Sequence, residues 1–71
     1  MTIKELHDIT GNNTRIFISW DGSIYELDRE SVLALTAYGK FIIAQINAMG
    51  ETEIEAVIKA VPATIERRAK Q

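Results

Sequence analysis

The first ten residues carry their apolar side chains at a helical spacing, at Ile3, Leu6 and Ile9. A three-residue spacing places these side chains on one face of a helix. Thr2 and Glu5 have the spacing of a capping box, in which each side chain accepts a hydrogen bond from the other residue's backbone N–H. Gly11 follows as a candidate left-handed C-cap. We therefore expect a short N-terminal helix over residues 1–10.

The next segment has the pattern of a β-hairpin over residues 14–27. Two runs rich in β-branched and aromatic residues flank Asp21-Gly22, and a two-residue Asp-Gly loop favours a type I′ turn. Such a loop pairs Trp20 with Ser23 and continues the register along both strands. One face of the hairpin then carries the main apolar set: Ile16, Ile18, Trp20, Tyr25 and Leu27. A slip of one residue would scramble this segregation, which supports the register.

The opposite face of the predicted hairpin carries two further apolar residues, Phe17 and Ile24, beside the charged residues. The register also places Arg15 opposite Asp28, a pair of favourable sign. An exposed apolar pair on a two-stranded ribbon is a candidate contact surface. We expect this face to serve association with a protein partner or with a second copy.

Residues 28–49 are predicted to form one long helix, capped by Asp28 and ended by Gly50. Glu30 lies in its first turn, where the helix dipole favours an anion. One apolar stripe runs along Val32, Leu35, Gly39, Ile42, Ile46 and Met49, and a second along Ala34, Ala37, Phe41, Ala44 and Ala48. A helix that is apolar on two sides packs on more than one partner. We expect one stripe to cover the hairpin and the stripe with Ala37, Phe41 and Ala44 to meet other helices.

A shorter C-terminal helix is predicted over residues 52–61, again opened by a capping box, Thr52 and Glu55. Its apolar edge consists of Ile54, Val57, Ile58 and Val61. Pro62 kinks or ends this helix, or begins a last turn within the polar tail of residues 62–71. The predicted fold is thus α+β in a single small domain, with a short helix, a two-stranded antiparallel hairpin, a long helix and a second, shorter one.

Length and composition limit the functions that the chain can have. A domain of 71 residues buries only about 60% of its unfolded surface and is marginally stable alone. The chain has no cysteine and one histidine, which excludes disulfides and makes a transition-metal site improbable. Self-association is the remaining means of stabilisation, so we expect a homo-oligomer. The net charge of −2 argues against general attraction to nucleic acid or to anionic membranes.

Targeting signals are not evident in the sequence. The longest apolar run, residues 41–44, is far shorter than the ~20 residues of a transmembrane helix. No apolar core of a signal peptide follows Met1. We expect a soluble, cytoplasmic protein.

No residue pattern indicates catalysis. His7 beside Asp8 is the one hint of acid–base chemistry, and a solvent-exposed helix histidine is the simpler interpretation. The acidic residues at predicted helix starts are better explained as caps and dipole partners than as metal ligands: Asp28, Glu30, Glu51, Glu53 and Glu55. We therefore predict no enzyme activity, no cofactor and no metal.

The residues from Arg15 to about Val61 resemble the C-terminal module of some tailed-phage tail fibre proteins. That module has a strand ending in Trp and a polar turn, a strand ending in an aliphatic-Glu-Leu-Asp run, and then a long alanine-rich helix and a second helix. The matching pieces here are residues 20–23, residues 25–28 and the predicted helix over residues 31–48. The resemblance implies a phage or prophage origin and no catalytic residues. Residues 1–13 have no counterpart in the module, which favours a free-standing small phage protein over a fibre.

The first functional hypothesis is a small oligomeric protein-interaction module that acts in virion assembly or inhibits a host or defence protein. Its predicted contact residues are Phe17, Ile24, Ala37, Phe41 and Ala44. The alternative is a small regulatory nucleic-acid-binding protein that uses the basic tail residues Arg67, Arg68 and Lys70.

Overall fold

The structure is a computed structural model that describes residues 1–62 and shows an α+β fold with more strand than helix. Its elements are α1 (Ile3–Ile9), β1 (Arg15–Trp20), β2 (Ser23–Glu26), α2 (Val32–Tyr38), β3 (Ile42–Ala48) and β4 (Glu53–Ala60). The four strands form one sheet in the order β2-β1-β4-β3. The central strands β1 and β4 are parallel, and the two outer pairs are antiparallel. The predicted fold of one hairpin with a long and a shorter helix is therefore wrong.

Helix α1 begins as the sequence predicts and ends differently. The Glu5 N–H donates to Thr2 Oγ1, and the Thr2 N–H donates to Glu5 Oε1, which completes the capping box. The C-cap is Thr10 in an extended conformation. Gly22 is the one glycine with positive φ among the described residues, so the predicted left-handed cap at Gly11 is wrong.

The guanidinium group of Arg29 caps the C-terminal end of α1. It donates hydrogen bonds to four backbone carbonyls, those of His7, Thr10, Gly11 and Thr14. The last carbonyls of a helix have no partner within the helix. The Arg29 side chain supplies partners for two of them and ties α1 to the loop that leads into β1.

Strands β1 and β2 pair in the predicted register. Trp20 lies opposite Ser23, and Ile18 lies opposite Tyr25. Asp21 and Gly22 both have positive φ, 52° and 78°, as a type I′ turn requires. The alternation of side chains therefore separates the two faces of the hairpin as the sequence indicates.

The predicted long helix over residues 28–49 is wrong, because the segment forms a short helix and a strand. Ser31 rather than Asp28 caps α2, since Ser31 Oγ accepts from the Ala34 N–H. The chain leaves the helix at Gly39, whose carbonyl accepts a hydrogen bond from the Lys4 N–H at 3.0 Å. Residues 42–48 then run as β3, antiparallel to β4.

The predicted C-terminal helix over residues 52–61 is also wrong. Residues 53–60 form β4, the strand that joins the two halves of the sheet. Glu55 lies in this strand, opposite Phe17 of β1 and Asn47 of β3, and does not take part in a capping box. The backbone N–H and C=O groups of β4 form hydrogen bonds with β1 on one side and with β3 on the other. A helix could not form these inter-strand bonds.

The hydrophobic core lies between the two helices and one face of the sheet, here called the inner face. Its buried residues come from α1, from the strands and from two connecting segments: Ile3, Leu6, Ile16, Ile18, Leu27, Phe41, Ala56 and Ile58. Ala34, Leu35 and Tyr38 of α2 pack against this cluster. Both helices thus cover the inner face, and the other side of the sheet, the outer face, has no helix on it within residues 1–62.

Candidate functional site

The outer face is built around three apolar side chains from three strands. The β1–β2 register places Phe17 and Ile24 there, on the side opposite the buried residues Ile16 and Ile18. The parallel β1–β4 register adds Val57, which lies opposite Ser19. Ile24 is 52% exposed, and Phe17 and Val57 are half-buried. The hairpin pattern in the sequence predicts the position of Phe17 and Ile24 on this face, whereas Val57 falls in a segment predicted to be a helix.

A network of ion pairs borders these apolar side chains where β1 and β4 begin. Arg15 donates to Glu26 Oε1 of β2 at 2.8 Å and to Glu53 Oε2 of β4 at 2.9 Å. Its guanidinium carbon also lies 5.2 Å from the centre of the Phe17 ring, within the range of a cation–π contact. The predicted partner of Arg15, Asp28, is therefore wrong, because the strand pairing brings the two glutamates nearer.

The contacts of Arg15 shift the pKa values of the paired groups toward their ionised forms. The hydrogen bond and charge of Arg15 lower the pKa of Glu26 below its ordinary value. The same pair raises the pKa of Arg15. The contact between Arg15 and Glu26 thus favours the ionised form of both side chains.

Uncharged polar side chains extend the network toward β3. Asn47 donates through Nδ2 to Glu55 Oε1 at 3.1 Å, and Gln45 donates to Asn47 Oδ1. The outer face therefore has an apolar centre with polar side chains along one end and one side. An apolar centre with a polar border is a general feature of protein–protein contact surfaces.

The other predicted contact residues do not lie together on a helix. Ala37 is on α2 and is exposed, whereas Ala44 is exposed on β3. Phe41 is only 1% exposed, and its ring meets the Trp20 ring edge-on at 5.7 Å. The helical stripe that grouped these residues is absent, since α2 ends at Tyr38.

The aromatic residues on the inner face have a structural role. Trp20 and Tyr25 pack against the core, and the Tyr25 ring lies 5.4 Å from that of Tyr38. Partial burial raises the pKa of Tyr25. This packing makes Trp20 and Tyr25 part of the border of the core, as their place in the predicted apolar set of the hairpin indicates.

His7 is held in place by its neighbours and is less exposed than the sequence analysis expected. Its side chain is 23% exposed, with Nδ1 3.3 Å from Asp8 Oδ1 and Nε2 3.3 Å from the Arg29 carbonyl. The carboxyl of Asp8 also accepts from Lys4, which is the main cause of its lowered pKa. No nucleophile is in contact with this histidine in the described hydrogen-bond network, so the contacts anchor α1 rather than activate a reacting group.

The acidic residues do not converge on a metal position. Within residues 1–62 no group of three or more histidine or acidic side chains could hold a metal ion. Asp28 accepts from the Glu30 N–H, and Glu53 and Glu55 are engaged by Arg15 and Asn47 as described.

A concave region lies between α1, α2 and the start of β3. It is a groove of about 640 Å³ lined by apolar and polar side chains that include His7, Leu35 and Ile42. Val32, which also lines the groove, and Leu33, both on α2, are 76% and 82% exposed.

Comparison with known proteins leaves the family open, because no family model, no curated protein and no solved structure significantly matches the chain. The resemblance to tail fibre modules stays a prediction. Over residues 1–62 there is no helix whose length and apolar character would let it cross a membrane. The predicted nucleic-acid contacts Arg67, Arg68 and Lys70 lie outside the described residues.

Proposed function

We propose that the protein is a protein-interaction module and that its outer face is the partner-binding surface. The observation that carries the proposal is the cluster of Phe17, Ile24 and Val57 on a sheet face that neither described helix covers. An apolar side chain left exposed gains about 25 cal/mol for each Å² that a partner buries. Ile24 and Val57 lie on either side of Ser19, two residues along β1 from Phe17, so one partner surface can cover all three apolar side chains.

The charges around the cluster indicate the chemistry of the partner. Three carboxylates, on Glu26, Glu53 and Glu55, and one guanidinium, on Arg15, lie at the end of the outer face where β1 and β4 begin. This end is therefore net negative, whereas the exposed Lys59, two residues beyond Val57 in β4, lies toward the opposite end of the same face. A partner with an apolar centre and lysine or arginine residues at its border would be electrostatically complementary, whereas a like-charged partner would be disfavoured. We take the occupant to be a different protein with such a basic border.

A setting in phage biology, either virion assembly or inhibition of a host or defence protein, is the one that the tail fibre resemblance suggests. A cytoplasmic location belongs to the same proposal. Nothing in residues 1–62 favours the alternative of nucleic-acid binding over this one.

The proposal is tested with three immobilised baits and an extract of the source cells. The baits are the native chain, a Phe17→Ser, Ile24→Ser double variant, and a Val32→Ser, Leu33→Ser control that removes two more-exposed apolar side chains from α2. We expect one partner to be captured by the native and control baits and lost from the outer-face bait. With the purified partner, binding to the native chain should weaken as salt rises, because the charges at the rim are screened.

Two outcomes would contradict the proposal. In the first, purified partner binds the outer-face variant as tightly as it binds the native chain while both remain folded. In the second, the double variant unfolds, which would assign Phe17 and Ile24 to the core. If only the α2 control loses binding, the partner contacts the groove between α1, α2 and β3 instead of the outer face.

A further inference from the structure

The two edge strands of the sheet differ in how well they are protected against pairing with another strand. Strand β2 has four residues and ends at Glu26. Strand β3 has seven residues, Ile42–Ala48, and none of them is charged: it contains three isoleucines, no lysine, no glutamate and no proline. Charged residues, prolines and shortness are the usual protections of an edge strand. By these criteria β2 is protected and β3 is not. A register irregularity, which is a further protection, interrupts β3 only between Ile42 and Gln45, so residues 45–48 form its regular and unprotected part.

The N-terminal residues cover only the beginning of the β3 edge. Thr2 forms an isolated antiparallel bridge with Ile42, in which the Ile43 N–H donates to the Met1 carbonyl at 2.8 Å and the Ile3 N–H donates to the Phe41 carbonyl at 3.0 Å. Among the described residues nothing pairs with the outer edge beyond this point. The open part of the edge is thus the segment 44–48, whose side chains are exposed except for the half-buried Asn47.

The direction of the free backbone groups follows from the hydrogen bonds at the β3–β4 turn. The Met49 N–H donates to the Glu53 carbonyl, toward β4. Backbone groups of successive residues in an antiparallel strand point alternately to the two sides. The N–H and C=O groups of Ile46 and Ala48 therefore point away from β4, where another strand could bind them.

We propose that β3 pairs antiparallel with β3 of a second copy of the chain, about a two-fold axis near Ile46. A two-fold pair brings each residue close to itself or to a near neighbour, so a charge near the axis would repel its own copy. Segment 44–48 has no charged residue, so there is no such electrostatic repulsion between the two copies. Ile46, 43% exposed, would lie against its counterpart. The resulting dimer has one continuous sheet, to which each chain contributes four strands. The outer faces of the two chains lie on the same side of this sheet.

The pairing is independent of what the outer face binds, and the charges separate the two surfaces. The outer face is net negative where β1 and β4 begin, so two copies would repel each other there, whereas the β3 edge is neutral. The edge therefore suits self-association, and the outer face suits a different protein.

The first test is sedimentation of the native chain and three variants, with circular dichroism as the check on folding. We expect the native chain at micromolar concentration to have twice the 8.0 kDa mass of one chain. Ile46→Lys places two like charges at the axis and should weaken dimerisation roughly 100-fold. Ala48→Pro removes one outward N–H without affecting the ladder to β4, as edge strands tolerate, and should also weaken it. Ser23→Lys on the β2 edge is the matched control and should leave the dimer intact.

The second test uses the absence of cysteine from the native chain. Ile46→Cys should form an intermolecular disulfide under mild oxidation, because residues facing each other across a two-fold strand pair have the Cα separation that a disulfide needs. Ser23→Cys is the control and should not cross-link efficiently. This variant adds no charge and no proline, so it remains informative if Ile46→Lys fails to fold.

Three results would overturn the proposal. One is a native chain that sediments as a monomer throughout the micromolar range. Another is a dimer that persists in folded Ile46→Lys and Ala48→Pro variants, or that does not cross-link through Ile46→Cys. The third is a dimer that the Phe17→Ser, Ile24→Ser variant dissociates and the β3 variants do not, since this would move self-association to the outer face.

Discussion

The two faces of strand β1 differ in how completely their side chains are removed from water. Ile16 and Ile18 on the inner face are 0% exposed, beneath the two helices. Phe17, between them in sequence, lies half-buried on the outer face under the Arg15 guanidinium. Because successive side chains alternate, one strand supplies both the core and the proposed contact surface. The effect of a substitution in β1 should therefore depend on whether its position is even or odd.

The largest effect that this comparison predicts is on the inner face. Ile18→Ala removes a fully buried side chain and should lower the free energy of unfolding by about 2–5 kcal/mol. Ser19→Ala, one residue further on the outer face, should change it by less than about 0.5 kcal/mol. Urea denaturation of both variants measures the difference. Equal losses would show that the two faces do not divide as described.

A substitution in the turn tests what keeps the two faces apart. Gly22 has a φ of 78°, and Gly22→Val forces a β-branched side chain into that conformation. The cost should be at least about 1–2 kcal/mol. Gly11→Ala is the control, since a Cβ there would meet nothing within 4 Å and its φ is not positive. A melting temperature that Gly22→Val leaves unchanged would mean that the turn does not determine the register.

The smallest predicted effect is the loss of stability in acid that comes from the ion pair on the outer face. Arg15 lowers the pKa of Glu26 in the folded state below its ordinary value of 4.5. The folded state therefore gains stability from this group above about pH 4.5, and the gain is lost as the pH falls through the lowered pKa. Glu26→Gln should show a smaller loss of melting temperature between neutral and acidic pH than the native chain. The residual loss should come from Glu5 and Asp8, whose pKa values are also lowered. An identical pH dependence in the two proteins would contradict the role of the ion pair.

The N-terminal half could be predicted because its determinants are local. The Thr2–Glu5 capping box and the Asp21-Gly22 turn each act within four residues. The hairpin register then placed Phe17 and Ile24 on the outer face without any knowledge of the rest of the fold. Arg29 could not be found in this way, because its partners are 15 to 22 residues away in the chain.

The C-terminal half was predicted wrongly because its apolar residues match two periods at once. In residues 53–56, Glu-Ile-Glu-Ala alternates as a half-buried strand does, and this signal was outweighed by a helical spacing from Ile54 to Val61. Strand β3 is an edge, exposed on both faces at several positions, so it shows no strict alternation. Gly50, interpreted as the end of a helix, lies instead in the turn between β3 and β4, where its N–H donates to the Glu53 carbonyl. Pairing with β1, which no local pattern reveals, decides the conformation of β4.

The parallel pairing of β1 with β4 also determines the order in which the chain can fold. Arg15 and Glu53, which face each other at the start of this pair, are 38 residues apart in the chain. Each antiparallel hairpin needs only a short loop to close, whereas the central pair closes the largest loop in the sheet and carries the larger entropy cost. The hairpins can therefore form early and separately. The core is completed only when they meet, and until then the unpaired edges of β1 and β4 are open to other chains.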